Sequence, residues 1–496
     1  MTSNTSPRIL RKLGNNEHFS STRHHLGIYR CVTVTCRHLH PPSSHPHGTS
    51  VSPSFYAALA AVVKDHPMLR VGIAGEDTND AHFTHVPQID LRNHVSVVEV
   101  PCRSVREYED GVARRQGWEH DQMYEDLDVR PPWRVAILRP GSDDENVLAR
   151  LRGHEDVLFA FHHSLMDGTS GRRFHELLLS ALALQRKEQL PAEPACVLSF
   201  PEPPASIPEP QEAVVDFSLS VRFMVGVLWD QFGPSFLKAP KQPVWNAIPI
   251  DFSLPYRTRV RPVDIPPEAL SALLAACRSR SVTVTTLLQS LVLASLSSRL
   301  ASAAEAPAFA GVTSISLRPF TTPSSMDPAY ESSLRVLVAA YTHQFSPEAV
   351  SALRAPGADT TALIWENARR VKGELAAKLA TMPRDDIMAV LKFIGDWFAF
   401  WRGRDGKQRA DSWEISNIGV LKNPDGADVK ATRLLFTNGA MAAGPPIGIN
   451  VASVAGSHLT LGLSWQDAVV QDELINHLAD DLSAYAAKFH ETGNFV

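Results

Sequence analysis

Cysteine is scarce in this chain. The five present in 496 residues, Cys31, Cys36, Cys102, Cys196 and Cys277, are odd in number and widely spaced. That pattern argues against a disulfide framework and for free thiols in a reducing, cytoplasmic compartment. An excess of charge of one sign is lacking as well. Forty-eight Lys+Arg stand against 53 Asp+Glu, a formal net charge of -5, with no basic block, so a nucleic-acid partner is not expected. Long apolar runs are also missing. The most apolar stretch, 287–296, is interrupted by Gln289 and Ser290 and falls short of the roughly 20 residues a membrane-crossing helix needs. The N-terminus has basic residues but no apolar segment behind them, so no secretory signal is expected.

What is present is enough apolar material for a core. Hydrophobic residues make up 44% and charged residues 20%, the balance of a folded protein, and the length suggests two or three domains at roughly 100–200 residues each. These features point to a sizeable enzyme rather than a small binding module.

Periodicity sketches the elements. Residues 29–37 alternate and are rich in β-branched side chains, which predicts a strand. Ser52-Pro53 opens a predicted helix that carries Phe55, Leu59, Val62 and Val63 at helical spacing and stops at His66-Pro67. Residues 146–152 and 156–161 flank Gly153 and predict a hairpin. Residues 191–213 hold seven prolines, a density that predicts a linker. Past it, strands are predicted at 309–317, 334–341, 412–420, 433–437, 447–454 and 458–463, with helices near 359–380, 384–400 and 470–489. Strands and helices on both sides of the prolines imply an α/β (α+β) chain in two lobes, 1–190 and 214–496. The aromatic segment 391–401 reads as a buried or pocket-lining helix, with weak contact to a membrane surface as the alternative.

The sharpest local signal is Phe161-His-His-Ser-Leu-Met-Asp-Gly168. A bare His-x-x-x-Asp is cheap, and it recurs at His477–Asp481 without the second His or the Gly. The full string follows a predicted strand and precedes a predicted helix, the context of a loop-borne site. A His at a strand end can project into a cleft, and a neutral imidazole of pKa about 6.5 suits removal of a proton from a hydroxyl or amine. An Asp four residues on can turn back and hold the loop in shape. His38, His40, His45 and His47 fit no compact ligand spacing, so no metal is expected.

The HHSLMDG string, about a third of the way along, resembles the active-site motif of the chloramphenicol-acetyltransferase-like superfamily, which includes condensation domains and plant His-x-x-x-Asp acyltransferases. Arg11-Lys-Leu-Gly14 followed by Glu17 and Tyr29, Asp65-His-Pro-Met-Leu-Arg-Val71 and Pro132-Trp-Arg-Val135 are similar to its fungal alcohol acetyltransferase branch, and Ser316-Leu-Arg-Pro319 and Ser416-Asn-Ile-Gly419 follow in the expected order. The plant branch's Asp-Phe-Gly-Trp-Gly is absent.

The resemblance implies two chloramphenicol-acetyltransferase-like domains, each a mixed sheet with flanking helices, meeting at a tunnel. It implies a CoA-dependent O-acyltransferase of secondary metabolism, most simply an acetyltransferase. Acetyl-CoA or another acyl-CoA would be the co-substrate, with no resident cofactor, and a small-molecule alcohol the acceptor of a monomeric enzyme. His163 would be the general base and Asp167 a structural support paired with Arg318. Ser416 or Asn417 would assist the oxyanion, His162 would pack rather than catalyse, and Gly168 would close the motif. The resemblance assigns no residues to CoA. Amide or carbon–carbon bond formation in the same tunnel, and a non-catalytic binding protein with the same fold, remain the competing readings.

Overall fold

The computed structural model describes residues 8–41, 50–185, 195–233, 237, 242–300, 306–322 and 333–496. Two mixed sheets dominate. The first has five strands in the order Lys430–Asn438, Val32–Leu39, His154–Phe161, Trp133–Gly141 and Val95–Pro101. Each of its first four strands is antiparallel to its neighbour, and Val95–Pro101 runs parallel to Trp133–Gly141. The second has six strands in the order Thr258–Ile265, Leu459–Gln466, Ile447–Val454, Trp413–Leu421, Phe309–Ser316 and Val338–Phe345. Its parallel centre joins Ile447–Val454, Trp413–Leu421 and Phe309–Ser316.

Central strands explain why alternation is weak where burial is greatest. His154–Phe161 is buried along nearly its whole length, because Val32–Leu39 and Trp133–Gly141 cover its edges while helices cover its faces. It therefore reads as the continuous apolar run Val157-Leu-Phe-Ala-Phe161. The helix Gly168–Gln185 follows at once and packs on the helix Pro53–Asp65, whose N-terminus is capped as expected by Ser52 accepting from the Phe55 N–H.

Several elements depart from the sequence expectation. Residues 146–152 are not a hairpin strand. Glu145–Arg150 is a short helix, capped by Asp144 at the Asn146 N–H, and His154–Phe161 pairs with Val32–Leu39 and Trp133–Gly141 instead. Local apolar content could not reveal the latter pairing, since it depends on the chain returning after a 12-residue excursion. The strand expected at 334–341 is Val338–Phe345, and 384–400 divides into a 3-10 segment, Ile387–Phe393, and a helix, Trp397–Arg402.

The proline-rich stretch does not hang free where it is described. Val197–Ser199 pairs with Gln88–Asp90, and the Pro208 and Glu209 carbonyls accept from Arg11 and Arg335. Pro191 and Pro194 lie outside the described residues. Nor do the chain halves coincide with the lobes. Lys430–Asn438, from the second half, closes the edge of the first sheet against Val32–Leu39 and packs on two strands of the second sheet. Gly462 permits this approach, since a Cβ there would stand 2.3 Å from the Phe436 carbonyl oxygen.

Candidate active site

Where the two sheets meet lies a cavity of about 430 Å3. The HHSLMDG loop contributes His163, Asp167 and Gly168 to it, and the helix Asn15–His25 contributes Asn16, Phe19, Ser20 and Arg23. From the other side come Ser314, Glu414 and Ser416 on the second sheet, Phe436 and Asn438 on the crossing strand, and the loop Met441–Pro445. Leu391, Phe400 and Trp401 of the aromatic segment line it as well.

The loop's shape follows from its hydrogen bonds. His163 Nδ1 lies 3.1 Å from the Met166 carbonyl. A carbonyl can only accept, so Nδ1 carries the proton and Nε2 keeps a free lone pair. Tyr29 stands beside the imidazole, ring centroids 5.8 Å apart, and donates its own hydroxyl to Asn438. Burial and the positive charge of Arg23 pull the His163 pKa down to about 4, despite the opposing pull of Asp167. The imidazole is thus a neutral base across a wider pH range than a free side chain, which corrects the expectation of a pKa near 6.5.

Asp167 does not orient His163. Its two carboxylate oxygens accept from Arg318 at 2.8 and 3.0 Å, from the Leu337 N–H at 3.0 Å and from the Ser170 N–H at 2.9 Å. Arg318 also reaches Ser170 Oγ. Burial opposes ionisation of this carboxyl, but the Arg318 charge and these hydrogen bonds outweigh it and hold its pKa below the ordinary value. The ion pair is bidentate and joins the loop of the first lobe to the end of Phe309–Ser316 in the second. Gly168 packs under Ile418 and Phe436, where a Cβ would lie within 2.8 Å of both side chains.

Ser416 lines the cavity, but Asn417 does not. Its amide binds Thr285 and accepts from the Gly419 N–H on the far, exposed face, so Asn417 is removed from the oxyanion candidates. Neighbouring residues of a strand point to opposite faces, so the two could not both serve the cavity.

His162 is fully buried behind the loop. Its Nδ1 accepts from the Ser164 N–H, which places the proton on Nε2, 3.1 Å from Glu76. His24 repeats the arrangement: Nε2 accepts from the Tyr124 N–H and Nδ1 donates to Glu76 at 2.9 Å. Ser21 supplies a third donor to the carboxylate. Burial disfavours the Glu76 charge, yet the imidazole hydrogen bonds prevail and lower its pKa strongly. Because backbone N–H groups occupy the outer nitrogens of both rings, the nitrogens facing Glu76 are donors and not metal ligands. Glu76 is the residue sequence reasoning missed, since no motif surrounds it. Elsewhere His38 is buried near Cys36 and His175, His40 bonds Glu155, and His45 and His47 lie outside the described residues.

Glu76→Gln would set an amide N–H against an imidazole N–H. It should cost about 1–3 kcal/mol of stability, read as a lowered midpoint in denaturant unfolding. An unchanged midpoint would mean that the carboxylate does not support the loop.

The Arg11-Lys-Leu-Gly…Glu17 pattern also acquires a physical role. Glu17 receives both Arg11 guanidinium nitrogens at 2.7 Å and the Gly14 N–H, which fixes the start of Asn15–His25. The Glu17 carbonyl in turn accepts from Ser164 Oγ at 2.6 Å, locking that helix to the HHSLMDG loop.

A family model described as alcohol acetyltransferase matches residues 122–313, a span that contains the loop. The probable alcohol acetyltransferase FCK4 of Fusarium pseudograminearum is 27% identical over 495 residues, covering 98% of this chain and 97% of that one. The chain is similar to alcohol acetyltransferases. The chain is similar too to the probable alcohol acetyltransferase crmB of Aspergillus fumigatus, at 27% identity over 96% of this chain and 99% of the other. Among solved structures, the TRI3 trichothecene 15-O-acetyltransferase of Fusarium sporotrichioides superposes with a TM-score of 0.67 at 12% identity, covering 97% and 99% of the two chains. The first condensation domain of the CDA synthetase follows at 0.57 and 14%, covering 97% and 96%. At such identities these two show the fold, a pair of mixed sheets of the chloramphenicol-acetyltransferase and condensation-domain kind.

Proposed function

We propose that this acyltransferase moves an acetyl group from acetyl-CoA to the hydroxyl of a small, largely apolar acceptor, with His163 as general base. The observation that carries the reading is the Nδ1–H to Met166 hydrogen bond, which leaves the basic Nε2 for the cavity. Nε2 takes the acceptor's hydroxyl proton as that oxygen attacks the thioester carbonyl carbon. The tetrahedral intermediate then collapses, the carbon–sulfur bond breaks, and the departing thiolate takes the proton back from the imidazolium. Ester and free CoA thiol are the products, and no acyl-enzyme forms. Ser416, on the cavity wall, is the oxyanion candidate that remains. The apolar lining from Phe19, Ile28, Leu391, Phe400 and Trp401 suits an apolar acceptor body.

Incubating the protein with labelled acetyl-CoA and panels of alcohols and amines tests the reading. Labelled ester with stoichiometric thiol release supports it, labelled amide alone would make the enzyme condensation-like, and no transfer to any acceptor defeats it.

The pH profile follows from the lowered His163 pKa. Protonation removes the base, so kcat/KM should stay level as pH falls from 8 to 5 and decline only as it nears about 4. Brief assays at each pH, followed by return to pH 7.5 to confirm reversibility, read this directly. A reversible fall centred near 6.5 would show that His163 does not set the acid limb.

A further inference from the structure

Arg23 is an unusual presence in the cavity. Several other guanidinium groups withdrawn from solvent have carboxylate partners: Arg318 has Asp167, Arg37 has Asp156 and Glu109, and Arg433 has Asp264. Arg409 directs its donors to the carbonyls of Ile248, Met441 and Gly444. Arg23 has neither arrangement. Among the described residues no carboxylate comes within 4.0 Å of it, its hydrogen bond is from Nη2 to Ser20 Oγ at 3.2 Å, and its Nε is buried without a partner. Three aromatic rings surround it instead, with Cζ 4.4 Å from the Phe19 centroid, 4.4 Å from Tyr29 and 5.5 Å from Trp401. Such rings tolerate a cation but leave most of the guanidinium's donors without an acceptor.

The position is as telling as the vacancy in its bonding. Tyr29 touches both groups, and its two centroid distances, 4.4 Å to Arg23 Cζ and 5.8 Å to the His163 ring, bound their separation at about 10 Å. That is a distance a small acceptor can span with one end at each residue. Across the cavity, Glu414 is held by Ser314, and burial raises its pKa, so it competes poorly as a counter-ion.

We infer that Arg23 is a carboxylate-binding subsite and that the acceptor is a hydroxy acid: its hydroxyl reaches His163 while its carboxylate is gripped by the Arg23 fork between Phe19, Tyr29 and Trp401. This deepens the proposed acetyl transfer and rests on it for the meaning of the hydroxyl end. A carboxylate matches the fork in a bidentate way, and charge-assisted hydrogen bonds in a ring-lined, water-poor site are the strong kind.

The test is a binding experiment that needs no turnover. Isothermal titration of the full-length protein with benzoate, phenylacetate, 3-phenylpropionate and 4-(hydroxymethyl)benzoate, each against its neutral carboxamide, measures the acid preference. The best-binding acid should exceed its amide by at least about tenfold. Arg23→Gln should abolish that preference and Arg23→Lys should restore part of it, with circular dichroism showing that both variants fold. No acid preference in any pair would overturn the inference, as would a preference that survives Arg23→Gln. Thiol release from acetyl-CoA with neutral alcohols is measured separately. Loss of transfer with the acid preference intact would fault the acetyl-transfer reading and not the subsite.

Discussion

His163→Ala should lower kcat by roughly 10²–10⁴-fold, the range for loss of one positioned acid–base group. Affinity for acetyl-CoA should change little, because the imidazole acts on a proton that moves only in the transition state. Two other histidines make the controls. His162 is buried against Glu76, so His162→Ala should act chiefly by weakening the loop, with loss of stability preceding loss of rate. His477, in the chance His-x-x-x-Asp match, is exposed on the terminal helix Asp472–Thr492, and His477→Ala should leave both unchanged. Steady-state kinetics with thiol detection, alongside thermal unfolding of each variant, gives the ranking. Near-normal transfer by a folded His163→Ala protein would remove His163 as the base.

Asp167→Ala is expected to have the largest effect on stability. Arg318 would be left with a buried, uncompensated charge, and the N–H groups of Leu337 and Ser170 would lose their acceptor. Breaking one side of such a pair costs about 3–5 kcal/mol. Asp167→Asn should lose less, because one oxygen remains, though its amide faces donors. Activity should fall with both, since the Met166 carbonyl that holds His163 Nδ1 is the neighbouring peptide. Arg318→Met combined with Asp167→Leu should recover part of the stability, because no unpaired charge then remains. Urea unfolding of the single and double variants reads the coupling. If Asp167→Ala unfolded at the wild-type midpoint while kcat collapsed, Asp167 would be acting on the proton and not on the architecture.

The sequence by itself determined what short-range chemistry can encode. The continuous apolar run Val157–Phe161, the glycine closing the loop and the capping Ser52 are each local, and each marks its element without reference to the rest of the chain. His163 was legible because the rest of its motif, through Asp167 and Gly168, lies within five residues. The Asp167–Arg318 pair was legible only through family resemblance, since 151 residues separate the two and no periodicity links them.

Tertiary structure alone decided the rest. Glu76 gains its role from His24 and His162, which approach from a helix and a strand end distant in sequence. Asn417 loses its candidacy because strand alternation, set by the register of Trp413–Leu421, turns it outward while Ser416 faces in. Lys430–Asn438 reads as one more strand of the second half, yet it closes the first sheet. Its apolar pattern would serve a partner in either sheet. Arg23 stood unremarked in a polar helix, since Trp401 and most of the cavity wall around it come from segments distant in sequence. Burial, register and the His163 pKa are properties of an arrangement, and they arise only when distant segments exclude water together.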